Sequence, residues 1–247
     1  MRVALLELQD VTRTFGGVVA LDRVSLAVHG GEIAGLIGPN GAGKTTAFNV
    51  ITRLYAPDGG QLAFAGDDLL RVPAHRVVES GIARTFQNLA LFQHMTVLEN
   101  VLVGRHSRIG RGGERAAREE ASAALAYLGL EPIAGRLATG LPFGTLKRVE
   151  VARALVSRPR LLLLDEPAGG LNHEEVEQLA GLITRMREDY DLTILLVEHH
   201  MNLVMRVSDR VHVLNFGRKI AEGTPAEVRA NPAVVEAYLG TGDDGAA

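Results

Sequence analysis

Short apolar runs and longer amphipathic stretches follow one another along the chain, and the change of period divides it into three regions. From residue 3 to 37 the apolar positions come in short runs broken by the turn signals Phe15-Gly16-Gly17 and His29-Gly30-Gly31, which predicts a β-rich opening of short strands. The last of these runs, Glu32-Ile33-Ala34-Gly35-Leu36-Ile37, reads as a buried strand, and Thr46 to Leu54 reads as a helix. From about Val97 to Leu155 alanine and leucine recur at helical spacing, interrupted by Gly110-Arg111-Gly112-Gly113, which reads as a loop between helices. Beyond it, strands at Leu161 to Asp165, Thr193 to Val197 and Arg210 to Leu214 alternate with helices at about His173 to Glu188 and His200 to Val207. That alternation predicts a parallel sheet covered on both faces. Pro225 to Leu239 carries a helical pattern, with Pro232 near the start of its last segment, and the glycine- and aspartate-rich residues 241–247 are expected to fray.

Between the strand ending at Ile37 and the helix after it lies Gly38-Pro39-Asn40-Gly41-Ala42-Gly43-Lys44-Thr45, which fits G-x-x-x-x-G-K-[ST] at every fixed position. Glycines let the backbone curl until successive N–H groups point at a di- or triphosphate, which then sits at a helix N-terminus. Lys44 adds a mobile cation for the outer phosphates. Thr45 offers a hydroxyl to Mg²⁺, a hard cation that favours oxygen ligands. The candidate nucleotide-binding residues are therefore Gly38, Pro39, Asn40, Gly41, Ala42, Gly43, Lys44, Thr45 and the adjoining Thr46.

A second constellation is Leu161-Leu162-Leu163-Leu164-Asp165-Glu166-Pro167, four apolar residues ending in two carboxylates, as expected of a buried strand whose C-terminal edge opens onto a site. Two such carboxylates can divide labour. Asp165 is the candidate magnesium ligand, and Glu166 the candidate group that polarises a water for attack on the γ-phosphate. His199 and His200 suggest a metal pair, but neighbouring residues are expected to project in different directions and make a poor chelate. The base-reading motif Asn-Lys-x-Asp of guanine-specific enzymes does not occur, which favours ATP.

Composition narrows the setting. At 247 residues one large α/β domain with a substantial core is expected. Lysine and arginine number 26 against 29 acidic residues, interspersed along the chain, so no electrostatic footprint for nucleic acid stands out. Cysteine is absent, which removes disulfides, zinc–thiolate sites and thiol catalysis. Apolar runs such as Leu192 to Val197 fall far short of the roughly twenty residues needed to cross a bilayer. The opening Met1 to Glu7 meets polar residues too early for a secretory leader, so a cytoplasmic location is expected.

The chain resembles the ATP-binding cassette (ABC) ATPases over about residues 5 to 240, on several motifs in order. Phe15 stands where the family sets an aromatic ring against adenine, and Gln87 in Arg84-Thr85-Phe86-Gln87-Asn88 where it has a glutamine that touches Mg²⁺ or the attacking water. Leu141-Pro142-Phe143-Gly144-Thr145 replaces the usual Leu-Ser-Gly-Gly-Gln signature, which meets the γ-phosphate held by an opposing subunit. Only Leu141 and Gly144 are retained, with Thr145 beside them. Pro142 supplies neither a hydroxyl nor an N–H, while Gly144 and the following helix still offer amides and a favourable dipole. Ala168-Gly169-Gly170-Leu171-Asn172 resembles the loop that crosses the dimer interface, with Asn172 where aspartate is common. Leu195-Leu196-Val197-Glu198-His199 puts His199 at the switch histidine, a donor to the γ-phosphate.

The resemblance implies an α/β phosphate-loop fold at residues 1–240: a mainly parallel core sheet, an antiparallel β subdomain and a helical subdomain at about 88–158. It implies Glu166, His199 and Gln87 as catalytic, Thr45, Gln87 and Asp165 around Mg²⁺, and ATP as substrate. Ile82 to Asn88, Phe92, Met95 to Val101, Ile220 to Pro225 and Glu236 to Gly240 are similar to the branched-chain amino-acid importer ATPases. The implied partners are a second cassette, identical or related, an integral membrane permease, and through it a solute-binding protein. The implied place is the cytoplasmic face of the membrane. Two other classes stay open: a non-transport cassette, which would be expected to carry a coiled-coil insert, a tandem cassette or a basic surface, and a catalytically weak regulatory module. A small-molecule kinase would have no use for a signature helix or a switch histidine.

Overall fold

The computed structural model describes residues 4–87, 89–106 and 113–239, with residue 239 described in its backbone only. Strands β1 (Ala4–Phe15) and β2 (Val18–His29) lead into β3 (Ile33–Ile37), α1 (Lys44–Ile51), β4 (Gly59–Phe64), β5 (Asp67–Asp68) and β6 (Ile82–Arg84). Three helices follow, α2 (Val97–Arg105), α3 (Gly113–Tyr127) and α4 (Phe143–Leu155). Then come β7 (Leu161–Asp165), α5 (His173–Asp189), β8 (Thr193–Val197), α6 (Met201–Val207), β9 (Arg210–Asn215), β10 (Arg218–Gly223), α7 (Pro225–Ala230) and α8 (Pro232–Leu239).

Two sheets result. One is antiparallel, in the order β2-β1-β4-β5. The other runs β10-β9-β3-β8-β7-β6 and is parallel except for β10. Every residue of β3, β7 and β8 is buried, and successive side chains face opposite layers because a strand has a period of two. Ile33, Leu162, Leu164, Ile194 and Leu196 pack into the core beneath α2 to α6. Ala34, Leu36, Leu161, Leu163 and Leu195 pack on the other side with Phe48 of α1 and the antiparallel sheet. This is why apolar runs without alternation mark the central strands.

Several boundaries move relative to the sequence pattern. The opening strands are not short: β1 and β2 have 12 residues each. Register shifts and left-handed residues at Asp10 and Arg23 break their alternation into pieces. Helix α1 starts at Lys44 rather than Thr46 and ends at Ile51. Helix α6 starts at Met201, with His200 as its cap. The pattern from Pro225 splits at Asn231, whose side chain accepts from the Ala233 amide ahead of α8. Gly110 to Gly112 of the expected loop, Asn88, and the tail 241–247 lie outside the described residues, while Gly113 opens α3.

Because β3, β6, β7 and β8 are parallel neighbours, their C-terminal ends lie along one edge, and the segments beginning at Gly38, Thr85, Glu166 and Glu198 all leave from it. That edge is where an open parallel sheet makes its ligand crevice.

Candidate functional site

Gly43 is the N-cap of α1, at φ 102°, in left-handed conformation and without a side-chain cap. A Cβ there would lie 2.5 Å from the carbonyl oxygen of Ala20, and one at Gly38 would run into the Leu214 carbonyl, so both positions demand glycine. A Cβ at Gly41 would meet nothing within 4 Å, so the loop is open on that side. The first amides of α1 have no intrahelical acceptor and no capping side chain, which leaves donors for an anion. The loop is held from outside by the β9–β10 turn, whose Gly217 amide donates to Ala42.

Lys44 is buried, and its ammonium donates to the carbonyls of Gly38 (2.6 Å) and Pro39 (2.9 Å). Burial pushes its pKa down, opposed by the nearby carboxylates of Glu166 and Asp165. Thr45 is exposed on the same helix turn and Thr46 is partly so.

Glu166 follows β7 at φ 47°, a left-handed position unusual for a side chain of its size. Its carboxylate is framed on both oxygens. Gln87 donates to Oε2 at 2.6 Å, and Nδ1 of His199 lies 3.7 Å from Oε1. Gln87, Glu166 and His199, which lie far apart along the chain, are thus in mutual reach at the sheet edge, beside Lys44 and Asp165. The His199 and His200 rings stack at 5.2 Å rather than diverging, because His200 is the non-helical cap of α6. Donor atoms of Glu198, His199 and His200 fall within 4.8 Å of one another, but both Glu198 oxygens accept backbone N–H groups, so this trio is no free chelate.

The ABC transporter family profile fits residues 21–169. The chain belongs to the ABC transporter family of ATP-binding cassettes. A second profile, branched-chain amino acid ATP-binding cassette transporter, fits residues 218–244. The cassette is 42% identical over 249 residues to the high-affinity branched-chain amino acid transport ATP-binding protein BraF of Pseudomonas aeruginosa, covering 96% of this chain and 98% of that protein. It is 42% identical over 253 residues to the corresponding protein LivG of Escherichia coli K12, covering 97% and 99%. A crystal structure of a nucleotide-free ATP-binding cassette from an ABC transporter superposes with a TM-score of 0.86 at 31% identity, covering 96% of this chain and 99% of that one. The cassette is accordingly a nucleotide-binding ATPase with the α/β fold expected.

The remaining expected residues sit around this centre. Phe15 ends β1, 37% exposed, with the Arg13 guanidinium 4.6 Å from its ring centre and Tyr55 edge-on at 5.1 Å, so the cassette presents an aromatic ring already braced from behind. Leu141 is buried, and Pro142 caps α4 without a side-chain bond, its carbonyl accepting from Thr145 and Leu146. A Cβ at Gly144 would stand 3.4 Å from Glu175 and 3.5 Å from Leu171. Gly144 therefore lies beside Leu171 and the start of α5. Among the described hydrogen bonds, none joins Leu141, Gly144 or Thr145 to the phosphate loop. Asn172 caps α5 in a reciprocal box with Glu175.

Two cations, Arg84 and Lys147, are among the charged groups that the motifs do not point to. Arg84, nearly buried at the end of β6, pairs with Oδ2 of Asp165 at 2.7 Å, donates to Asn49 of α1 at 2.7 Å, and lies against the rings of Phe48 and Phe86. Lys147, buried on α4, reaches the carbonyl oxygens of Gln87 (3.3 Å) and Glu166 (3.5 Å). On the same helix Glu150 accepts from the Phe86 amide, its pKa raised by burial. The signal available was a cation following an apolar strand and another inside a helix otherwise buried, since buried charges require partners.

Proposed function

We propose that this cassette powers an importer of branched-chain or related amino acids, working beneath a membrane permease as one of two cassettes that close around ATP. The observation that carries the catalytic part is the Gln87–Glu166–His199 frame beside Lys44 at a single sheet edge. Glu166 would polarise a water whose oxygen bonds to the γ-phosphorus as the bridging bond to the β-phosphate breaks, leaving ADP and inorganic phosphate. His199 would donate to a γ-phosphate oxygen, and the phosphate loop, from Gly38 to Thr46, would hold the rest of the chain of phosphates. The donor set suits Mg²⁺: the exposed Thr45 hydroxyl, the Asp165 carboxylate with Oδ2 on Arg84, and the Gln87 amide oxygen. Bound there, the ion would neutralise charge developing between the β- and γ-phosphates. Phe15 would stack on adenine, and Leu141, Gly144 and Thr145 would serve the nucleotide of the opposing cassette.

The docking face for the permease is an open groove at the junction of α1, β6 and the α2–α4 layer, with Leu54, Phe86, Phe92 and Val103 exposed on its walls. It adjoins Gln87, so a push on the groove reaches the catalytic frame directly. Among the described residues no helix is long and apolar enough to cross a membrane, which fits a subunit attached peripherally at the cytoplasmic face. The solute-binding protein would act only through the permease. The intact frame speaks against a catalytically idle module, and the balanced charge against a nucleic-acid role.

Co-expression with a permease and solute-binding protein of a branched-chain amino-acid importer, followed by reconstitution into ATP-loaded vesicles, tests the proposal. Uptake of radiolabelled leucine, isoleucine or valine that needs both ATP and Mg²⁺ is expected. Mg²⁺-dependent hydrolysis with no uptake of any of these, but uptake of another solute such as sulfate, would overturn the cargo and leave the engine.

A further inference from the structure

Glu198 is fully buried at the end of β8, and among the described residues no lysine or arginine pairs with it. A buried carboxylate without a counter-ion is costly unless several N–H groups solvate it. Here the backbone does so from two sides. Oε1 accepts from Ala168 at 2.6 Å, and Oε2 accepts from His199 at 3.0 Å and His200 at 3.2 Å. Ala168 belongs to the turn that follows Glu166, and the two histidine amides open the loop that carries the imidazole facing it.

That turn is strained. Glu166 holds φ 47° while its own amide donates to Val197 at 2.9 Å and its carbonyl accepts from Gly169 at 3.2 Å. A non-glycine residue keeps such a conformation only where its surroundings over-determine it. The Glu198 carboxylate is the group that ties this turn to the opposite loop through side-chain chemistry. Apart from the 3.7 Å Glu166–His199 approach itself, no other side chain among the described contacts joins the two strand ends.

We propose that Glu198 is a positioning residue for hydrolysis: it clamps the turn bearing Glu166 to the loop bearing His199 and so sets the 3.7 Å approach of the two side chains. The proposal rests on the assignment of Glu166 and His199 above. The clamp needs an acceptor oxygen on each side, which the carboxylate's two oxygens supply. Glutamine has nearly the same shape but puts an NH₂ group against one set of N–H donors, so one side of the clamp must open. Aspartate keeps the charge and is a methylene shorter, so it can serve the adjacent His199 and His200 amides but falls short of Ala168.

The test uses the full chain with Glu198→Gln and Glu198→Asp. In both, kcat for Mg·ATP should fall about 10- to 100-fold while KM and the affinity for a fluorescent ATP analogue stay within about threefold, since orientation rather than binding is lost. Amide hydrogen exchange should report the opened side: Ala168 loses protection in the aspartate variant while His199 and His200 keep it, and in the glutamine variant either Ala168 or the His199–His200 pair loses protection. Glu198→Asp serves if the glutamine variant does not fold. Unchanged kcat in a folded variant, or kcat and nucleotide affinity falling together, would overturn the clamp. A separate control keeps the two readings apart: full activity in Glu166→Gln would remove the catalytic assignment itself, whereas an inactive Glu166→Gln beside a fully active Glu198→Gln removes only the clamp.

Discussion

The phosphate loop and the signature segment both end at a helix N-terminus, yet they tolerate change very differently. At the loop, Gly38 and Gly43 sit where a Cβ has no room, and Lys44 is wedged between two loop carbonyls. Its geometry depends on which residues occupy it. At the signature segment, Pro142 and Phe143 replace two small residues of the usual family pattern, and α4 still begins there, with Phe143 44% exposed and its ring against Gly170. In the proposed pairing, that segment would offer a partner's nucleotide backbone amide and helix dipole, which do not depend on side-chain identity. The contrast teaches that the phosphate loop is constrained by sterics, whereas the signature segment, in the half-site proposed for a partner, would be constrained by helix placement.

The largest expected effect lies with the chemistry that neither region supplies. Glu166→Gln should reduce turnover by about 10²- to 10⁴-fold, the range of a lost general base, while ATP binding measured by a fluorescent analogue persists. Retained turnover would mean that the water is activated elsewhere and that the Gln87 and His199 contacts to Glu166 are structural. Gly43→Ala comes next and probes the steric side of the comparison. The methyl would press on the Ala20 carbonyl at 2.5 Å and hold alanine at φ 102°, a strain of about 1–3 kcal/mol. ATP affinity should drop at least tenfold and the melting temperature should fall. A wild-type affinity in titration calorimetry would show that the loop can shift to accommodate a side chain.

How much of this was legible in the chain depends on whether the constraint is local. Strands β7 and β8 follow the apolar runs to within a residue, Asp165 closing one and Thr193 opening the other, because a strand buried on both faces is built mainly of apolar residues. The phosphate loop is legible for the same reason, its glycines and lysine being close neighbours in sequence. Strands β4 to β6 were not read, since Gly59-Gly60-Gln61 opens one, another has only two residues, and β6 has three. Arg84, Lys147 and Glu198 are the missed parts of the site, and each finds its partners across the fold: Arg84 meets Asp165 at a separation of 81 residues, and Glu198 meets Ala168 at 30. No spacing rule encodes such pairs. The histidine pair shows the limit from the other side. Adjacent side chains diverge within regular elements, but His200 is a cap, and the rings stack.

The smallest expected effect belongs to Pro142→Ser, which restores the family's usual residue at the signature. Serine is a favoured N-cap, and α4 has no side-chain cap now, so a new bond to the helix amides should contribute about 1 kcal/mol. Loss of the proline's restriction on the unfolded chain should offset about 0.4–1 kcal/mol of that. Stability should therefore change little. Turnover should rise by no more than a few-fold, because Phe143, not Pro142, fills the space against Gly170 and keeps the opposing half-site shaped as it is. A tenfold gain in ATPase activity, with melting temperature unchanged, would break the comparison: side-chain identity at the signature would then matter as much as it does in the loop. Equal turnover with tighter cassette pairing on ATP would sharpen it, placing the serine hydroxyl's contribution in binding across the interface and leaving the chemistry to the other half-site.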